Sequence, residues 1–130
     1  MITFDTGVLI ALERRDKVMW DRFRRLRERR IPVCIPASCE SEWYRRAPGH
    51  AEIRSAIAPL VVPLTDPIAC AAGEALAALG RGRRTNAAVT IDAQVMATAA
   101  MFGAGAVLTA DPDDLARFTR HFPKVTIEPL

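Results

Sequence analysis

The sequence has no long apolar run. None of its segments reaches the ~18 uninterrupted apolar residues that a membrane-spanning helix needs. The first residues, MITFDTGVLIALERR, carry an acid at position 5 and no basic residue ahead of the apolar run. A secretory signal peptide has the opposite pattern. We therefore expect a cytoplasmic protein that has no contact with a membrane.

Cysteine and histidine are also scarce. Cys34, Cys39 and Cys70 are odd in number, lack C-x-x-C spacing and stand among apolar neighbours, which predicts buried free thiols rather than disulfides or a zinc site. His50 and His121 lie outside every acidic motif, and we expect both at the surface. The sequence also lacks G-x-S-x-G and G-x-x-x-x-G-K-[ST] motifs. A Ser-His-Asp hydrolase, a two-histidine ribonuclease and a P-loop enzyme are all disfavoured.

Short apolar runs alternate with helical patterns along the whole chain. At 130 residues, half of them apolar, the chain suits one domain with a real core. Helical periodicity covers residues 16–30, the stretch 65–79 with Thr65 as its N-cap, a stretch around Glu42, and about 90–102. The strand-like runs are residues 1–4, 31–35, 60–64, 106–109 and 124–127. This alternation predicts an α/β domain with a mostly parallel central sheet flanked by helices.

Positive charge is concentrated in one segment. The net charge is only +3, but the segment 13–30 holds nine Lys/Arg against four Asp/Glu. A second basic stretch, GRGRRTN, covers residues 80–86. Basic segments beside an acidic cluster indicate a polyanion held near a cation site, although a solvated helix face explains the first segment equally well.

Two acids follow strand-like runs. Asp5 ends the first run and Asp111 follows the fourth, in AVLTAD. Ligands of parallel sheets bind beyond the carboxyl ends of the strands, so both acids face one edge if the two strands are neighbours. The alternative for Asp111 is helix capping, with Pro112 at the first helical position and Asp113 and Asp114 facing the helix dipole.

Two further acids interrupt helical patterns. Asp92 stands among apolar residues, where a carboxylate is costly to ionise without a positive partner, although it could also be a cap or an exposed residue. Glu42 could form ordinary helix ion pairs with Arg45 and Arg46. Gathered at one sheet edge, these carboxylates suit Mg²⁺ or Mn²⁺ better than zinc, because no His or Cys cluster accompanies them.

These stretches resemble a known family. ITFDTGVLIAL, IPASCESEWYR and DAQVMATAAMFGAGAVLTADPDDL are similar to the PIN domain, in particular to the single-domain VapC-type toxin ribonucleases of toxin–antitoxin pairs. The likeness runs from Ile2 to about Leu115. It implies a single PIN-like domain over residues 1–130 and a Mg²⁺-dependent endoribonuclease, the toxin of a type II toxin–antitoxin system, that cleaves RNA by metal-activated water.

The resemblance also assigns roles to residues. It implies that Glu42 is chosen over Glu40, because the family places its acid just before the WY pair. Thr6, Thr109 and Asp114 would support the site, with Thr109 helping to hold the metal water or orient a carboxylate. The catalytic and metal-binding set would be Asp5, Glu42, Asp92 and Asp111.

Partners follow from the same likeness. It implies an RNA substrate, a cognate antitoxin whose C-terminal segment covers the active groove, and a homodimer. The RNA backbone would lie on basic side chains, which position phosphates without reading sequence; these are Arg22, Arg24, Arg25, Arg81, Arg83 and Arg84.

Two alternatives remain open at this point. One is a phospho-acceptor or signalling domain, which would need an acidic pair after strand one, an acceptor Asp after strand three and a later Lys. The other is a catalytically silent PIN-like module that binds RNA or protein. Retention of all four acids disfavours the second alternative. The first is disfavoured because strand three ends in VVPLT and the chain has only two lysines, Lys17 and Lys124.

Overall fold

Five parallel strands form one sheet in the order β3-β2-β1-β4-β5. The computed structural model describes residues 1–45, 50–80, 86–103 and 105–130. The strands are β1 (Ile2–Phe4), β2 (Val33–Pro36), β3 (Val61–Val62), β4 (Ala106–Thr109) and β5 (Thr126–Pro129). The predicted α/β fold with a mostly parallel sheet is confirmed.

Helices cover the sheet. Within the described residues they are α1 (Thr6–Glu13), α2 (Lys17–Glu28), α3 (Ala37–Tyr44), α4 (Ala51–Ile57), α5 (Asp66–Ala78), α6 (Ala87–Met101) and α7 (Pro112–Ala116), with a 3₁₀ turn at Ala58–Leu60. Each long helix turns an apolar stripe inward; in α2 the buried residues are Met19, Phe23 and Leu26. None of the described helices is both long and apolar enough to cross a bilayer.

Several predicted boundaries were wrong, for local reasons. The 3₁₀ turn takes Leu60 from the start of the third predicted strand, and the strand ends at Val62, before Pro63, so it is two residues long. The last strand begins at Thr126 rather than 124, because the Val125 amide donates to the Phe122 carbonyl in a turn. Helix α6 begins at Ala87 rather than 90, because the Asn86 side chain accepts from the Val89 amide at 3.0 Å and caps it.

Two smaller features differ from the sequence prediction. Thr65 is the N-cap of α5 by position, but its side chain makes no capping hydrogen bond. Cys70 is exposed, whereas Cys34 and Cys39 are buried as predicted. Cys70 lies off the buried stripe of α5, which consists of Ile68, Ala72 and Ala75.

Helices α1 and α2 end in the same motif. The first residue beyond each C-cap, Arg15 or Arg30, has a left-handed backbone, with φ of 56° and 53°. After α2, the Arg30 amide donates to the Arg27 carbonyl and the Ile31 amide to the Leu26 carbonyl, which is the Schellman pattern. Glycine is the usual residue at this position, because a Cβ atom disfavours positive φ.

Candidate functional site

An open groove of about 550 Å³ lies at the carboxyl edge of the sheet. Strands β1 and β4 are direct neighbours, with Phe4 opposite Leu108, so the residues that follow them meet at this edge as predicted. Six carboxylates line this acidic groove, together with Arg14; they belong to Asp5, Asp16, Glu42, Asp92, Asp111 and Asp114. The structure therefore brings together all four acids selected from the sequence.

Asp5 is held by one backbone donor and one side-chain donor. It is the N-cap of α1, and its Oδ1 accepts from the Val8 amide at 3.1 Å. Its Oδ2 accepts from the hydroxyl of the fully buried Thr109, whose oxygen accepts in turn from the Asp111 amide at 2.9 Å. Burial raises the pKa of Asp5, these hydrogen bonds lower it in part, and the charge of Asp111 raises it further.

Gly7 makes this arrangement possible. A Cβ atom at position 7 would lie 2.6 Å from the Cβ of Ala110 and 3.2 Å from the Asp5 Oδ1. The first turn of α1 thus packs directly against the residue between Thr109 and Asp111. Sequence reasoning missed Gly7, although a glycine two residues after a strand-end acid is a signal for close backbone approach.

Glu42 is held by the residue that follows Asp5. Thr6 Oγ1 donates to Glu42 Oε2 at 2.6 Å, which links α1 to α3 beside the groove. Glu40 instead forms an ion pair with Arg54 at 3.3 Å and does not line the groove. The alternative pairing of Glu42 with Arg45 is absent from the ion pairs of the described residues, and Arg46 lies outside them.

Asp92 is a half-buried acid near the start of α6. Burial raises its pKa to about 6, and the negative charges of Asp114, Asp5 and Glu42 contribute to the rise, while Arg117 opposes it. Asp92 takes part in none of the ion pairs found in the described part of the chain. The positive partner expected from the sequence is therefore not supplied at contact distance by a described residue.

The acids after β4 have three different environments. Asp111 is the N-cap of α7 by backbone position, but its carboxylate makes no capping hydrogen bond and faces the groove. Asp114 lines the groove and pairs with Arg117. Asp113 is exposed and does not line the groove. The capping explanation thus holds for the position of Asp111 and not for its side chain.

The groove is not a compact ligand cluster. In residues 1–45, 50–80, 86–103 and 105–130, no three Asp, Glu, His or Cys side chains are grouped so that they could hold one metal ion by themselves. The carboxylates surround a space that also holds solvent, because the groove is open.

The predicted RNA-binding arginines of α2 lie elsewhere. Arg22 donates to Glu128 Oε2 at 2.5 Å, and Arg24 donates to Asp21 Oδ1 at 2.6 Å. Arg25 lines a separate surface depression on α2. None of the three lines the acidic groove. The other predicted contacts, Arg81, Arg83 and Arg84, lie outside the described residues.

Comparison with known proteins finds likeness in structure only. No protein-family model and no curated protein matches the sequence. A chain of VapBC2 from Rickettsia felis, solved bound to a DNA fragment from the promoter, is similar with a TM-score of 0.71 and 13% identity over 100% of this chain and 99% of that one. FitAcB from Neisseria gonorrhoeae and DNA-bound VapBC from Salmonella typhimurium each give a TM-score of 0.69 and 18% identity, over 98% and 96% of the chains. At these identities the likeness shows a shared fold.

Proposed function

We propose that this protein, whose fold is shared over its full length with chains of VapBC and FitAcB complexes, is a Mg²⁺-dependent endoribonuclease and the toxin of a type II toxin–antitoxin pair. The observation that carries the proposal is the meeting of four carboxylates from four separate segments in one groove. The resemblance of the motifs to VapC-type toxins supports the same activity.

The residues present fit a divalent cation. All the candidate ligands are carboxylate oxygens, which Mg²⁺ and Mn²⁺ prefer. Burial and mutual repulsion raise the pKa of both Asp5 and Asp92, which means that ionising these carboxylates costs free energy in the metal-free protein. A positive ion among them would lower that cost. Because no three of the described acids are grouped closely enough to hold one ion by themselves, an ion bound here would keep part of its water shell, as Mg²⁺ commonly does.

Each side chain has a distinct task in this proposal. Asp5, Asp92 and Asp111 would hold the cation, and Glu42, held by Thr6, would accept a proton from the attacking water. The chemistry that such an ion would supply is a lowered pKa of a bound water and neutralisation of charge on the scissile phosphate. Thr109 keeps Asp5 in one orientation, and no side chain serves as a nucleophile.

The proposal extends to partners and location. A cognate antitoxin would neutralise the protein in the cytoplasm, and the toxin would form a homodimer, as the resemblance implies. Co-expression of this chain with the product of the adjacent gene, followed by size-exclusion chromatography with light scattering, tests both the pairing and the oligomeric state.

Incubation with total RNA, with and without Mg²⁺, tests the activity. We expect cleavage with the metal, none in EDTA, and defined cut ends on mapping. Asp5→Asn should abolish cleavage and leave the fold intact, because asparagine caps a helix as well as aspartate does. Asp113→Asn is the matched control, since it removes one nearby charge from outside the groove. Metal-independent cleavage, or full activity of Asp5→Asn, would contradict the proposal.

A further inference from the structure

A second cleft lies beside the acidic groove. It has a volume of about 630 Å³ and runs between the C-terminal half of α5 and the segment 116–121, which follows α7. Its lining includes Ala75, Ala78 and Leu79 of α5, and Arg117, Arg120 and His121 of the later segment. We call this the basic cleft.

The chemistry of the basic cleft is opposite to that of the acidic groove. Arg117, Arg120 and His121 supply its charged and titratable groups, and no acid is among the described residues that line it. Arg120 is exposed and forms none of the ion pairs found among the described residues. The rest of the lining is small or apolar. A surface of this kind offers cations to phosphates and an uncharged floor to sugars or bases.

One pair of residues separates the two depressions. The Arg117 Nε donates to the Asp114 carbonyl at 2.6 Å, and its guanidinium pairs with the Asp114 carboxylate. Asp114 lines the acidic groove while Arg117 lines the basic cleft. The short helix α7 therefore forms a wall of both, and a strand that crosses this helix passes from one to the other.

We propose that the basic cleft binds the phosphodiester backbone of single-stranded RNA beyond the scissile bond. Arg120 and the outward side of Arg117 contact phosphates there. The exposed His121 ring, which stands edge-to-face on Phe122 with centroids 4.8 Å apart, is placed to stack with a base. This inference rests on the proposed function. It places the RNA backbone in the basic cleft rather than on the arginines of α2, which do not line the acidic groove.

The test measures binding without cleavage. Anisotropy of a fluorescein-labelled oligouridine is followed in EDTA with the full chain, comparing Asp5→Asn with Asp5→Asn/Arg120→Gln. In Arg120→Gln, the loss of one phosphate contact should reduce the magnitude of the slope of log affinity against log salt by about 0.7. This corresponds to about fivefold weaker binding at 0.1 M salt and to little change near 1 M. Arg25→Gln in the same background is the matched control, because it removes an exposed arginine from α2; its affinity should match that of the parent.

The outcomes separate this inference from the proposed function. Equal losses of oligouridine affinity in Arg120→Gln and Arg25→Gln, or no loss in either, would overturn RNA binding in the basic cleft. This holds even if the protein with Arg120 intact cleaves RNA in Mg²⁺. RNA binding that depends on Arg120, in a protein that never cleaves, supports the cleft and overturns the nuclease. A labelled polyglutamate peptide that binds through Arg120 while the oligouridine does not would show that the cleft takes an acidic protein segment, and would also overturn the inference.

Discussion

Adding one methyl group at Gly7 is expected to push apart the two strand ends that form the acidic groove. The new Cβ would lie 2.6 Å from the Ala110 Cβ, whereas carbon atoms in contact normally stand ~3.5 to 4.0 Å apart. The turn after β4 must therefore move by about 1 Å, at a cost of about 1–3 kcal/mol for overpacking. Alanine recovers about 0.5–1 kcal/mol as a better helix former. The net loss in unfolding free energy should be about 0–2.5 kcal/mol, or up to roughly 10 °C in Tm.

The assay compares thermal melts, Mn²⁺ binding by electron paramagnetic resonance, and RNA cleavage. Gly73→Ala is the matched control, because a Cβ there meets nothing within 4 Å, and it should stabilise α5 by about 0.5–1 kcal/mol. Ala110→Gly should rescue Gly7→Ala in part, since it removes the atom that is too close. If Gly7→Ala stabilises the protein as much as Gly73→Ala does, and cleavage is unchanged, the close approach at Gly7 does not position Asp5 and Asp111.

Three other predictions concern single side chains. Asp92 has a pKa of about 6 in the fold against 3.8 when unperturbed, so the metal-free protein loses stability as pH rises between those values. Asp92→Asn should remove this loss and raise the unfolding free energy at pH 7.5 by roughly 1 kcal/mol, a value kept small because partial exposure screens the charge. Urea titrations at several pH values measure this difference. Thr109→Val should lower the unfolding free energy by about 1–3 kcal/mol and raise the pKa of Asp5, because a donor to its carboxylate is lost. Carboxyl NMR in EDTA reads this pKa, and Thr109→Ser should restore both the stability and the pKa. An unchanged Asp5 pKa in Thr109→Val would show that the hydroxyl does not act on it. Arg30→Gly should stabilise α2 by about 1 kcal/mol in chemical denaturation, because Arg30 has positive φ; a loss of stability would mean that the arginine makes a compensating contact.

The sequence predicted the sheet and the acids that follow its strands, because both depend on local patterns. Alternating apolar runs identified β1 and β4, and the rule for parallel sheets placed Asp5 and Asp111 at one edge on the condition that these strands are neighbours, which they are. Helix α4 was not predicted, since Ala51–Ile57 is short and only Ile53 and Ile57 mark its buried face. Such a helix depends on tertiary packing rather than on its own periodicity.

The relation between charges was harder to predict. Composition located basic residues, but it could not show that Arg22 and Arg24 are paired with acids on their own side of the fold. The basic cleft depends on α5 packing near residues 116–121, a contact between distant segments that no spacing rule reports. Gly7 was missed although its place two residues after Asp5 was a signal, and only the fold shows its close approach to Ala110.

The bond between Thr109 and Asp5 joins residues 104 positions apart in the chain. Since β1 lies between β2 and β4, the first strand to be synthesised lacks one neighbour until β4 is made. Pairings of this length form late in folding, because a long loop must close before they contribute. A chain still being translated therefore holds Asp5, Glu42 and Asp92 without the strand end that completes the groove. Under the proposed function, such a nascent chain lacks part of its site, and RNA cleavage is expected only once the fold is complete.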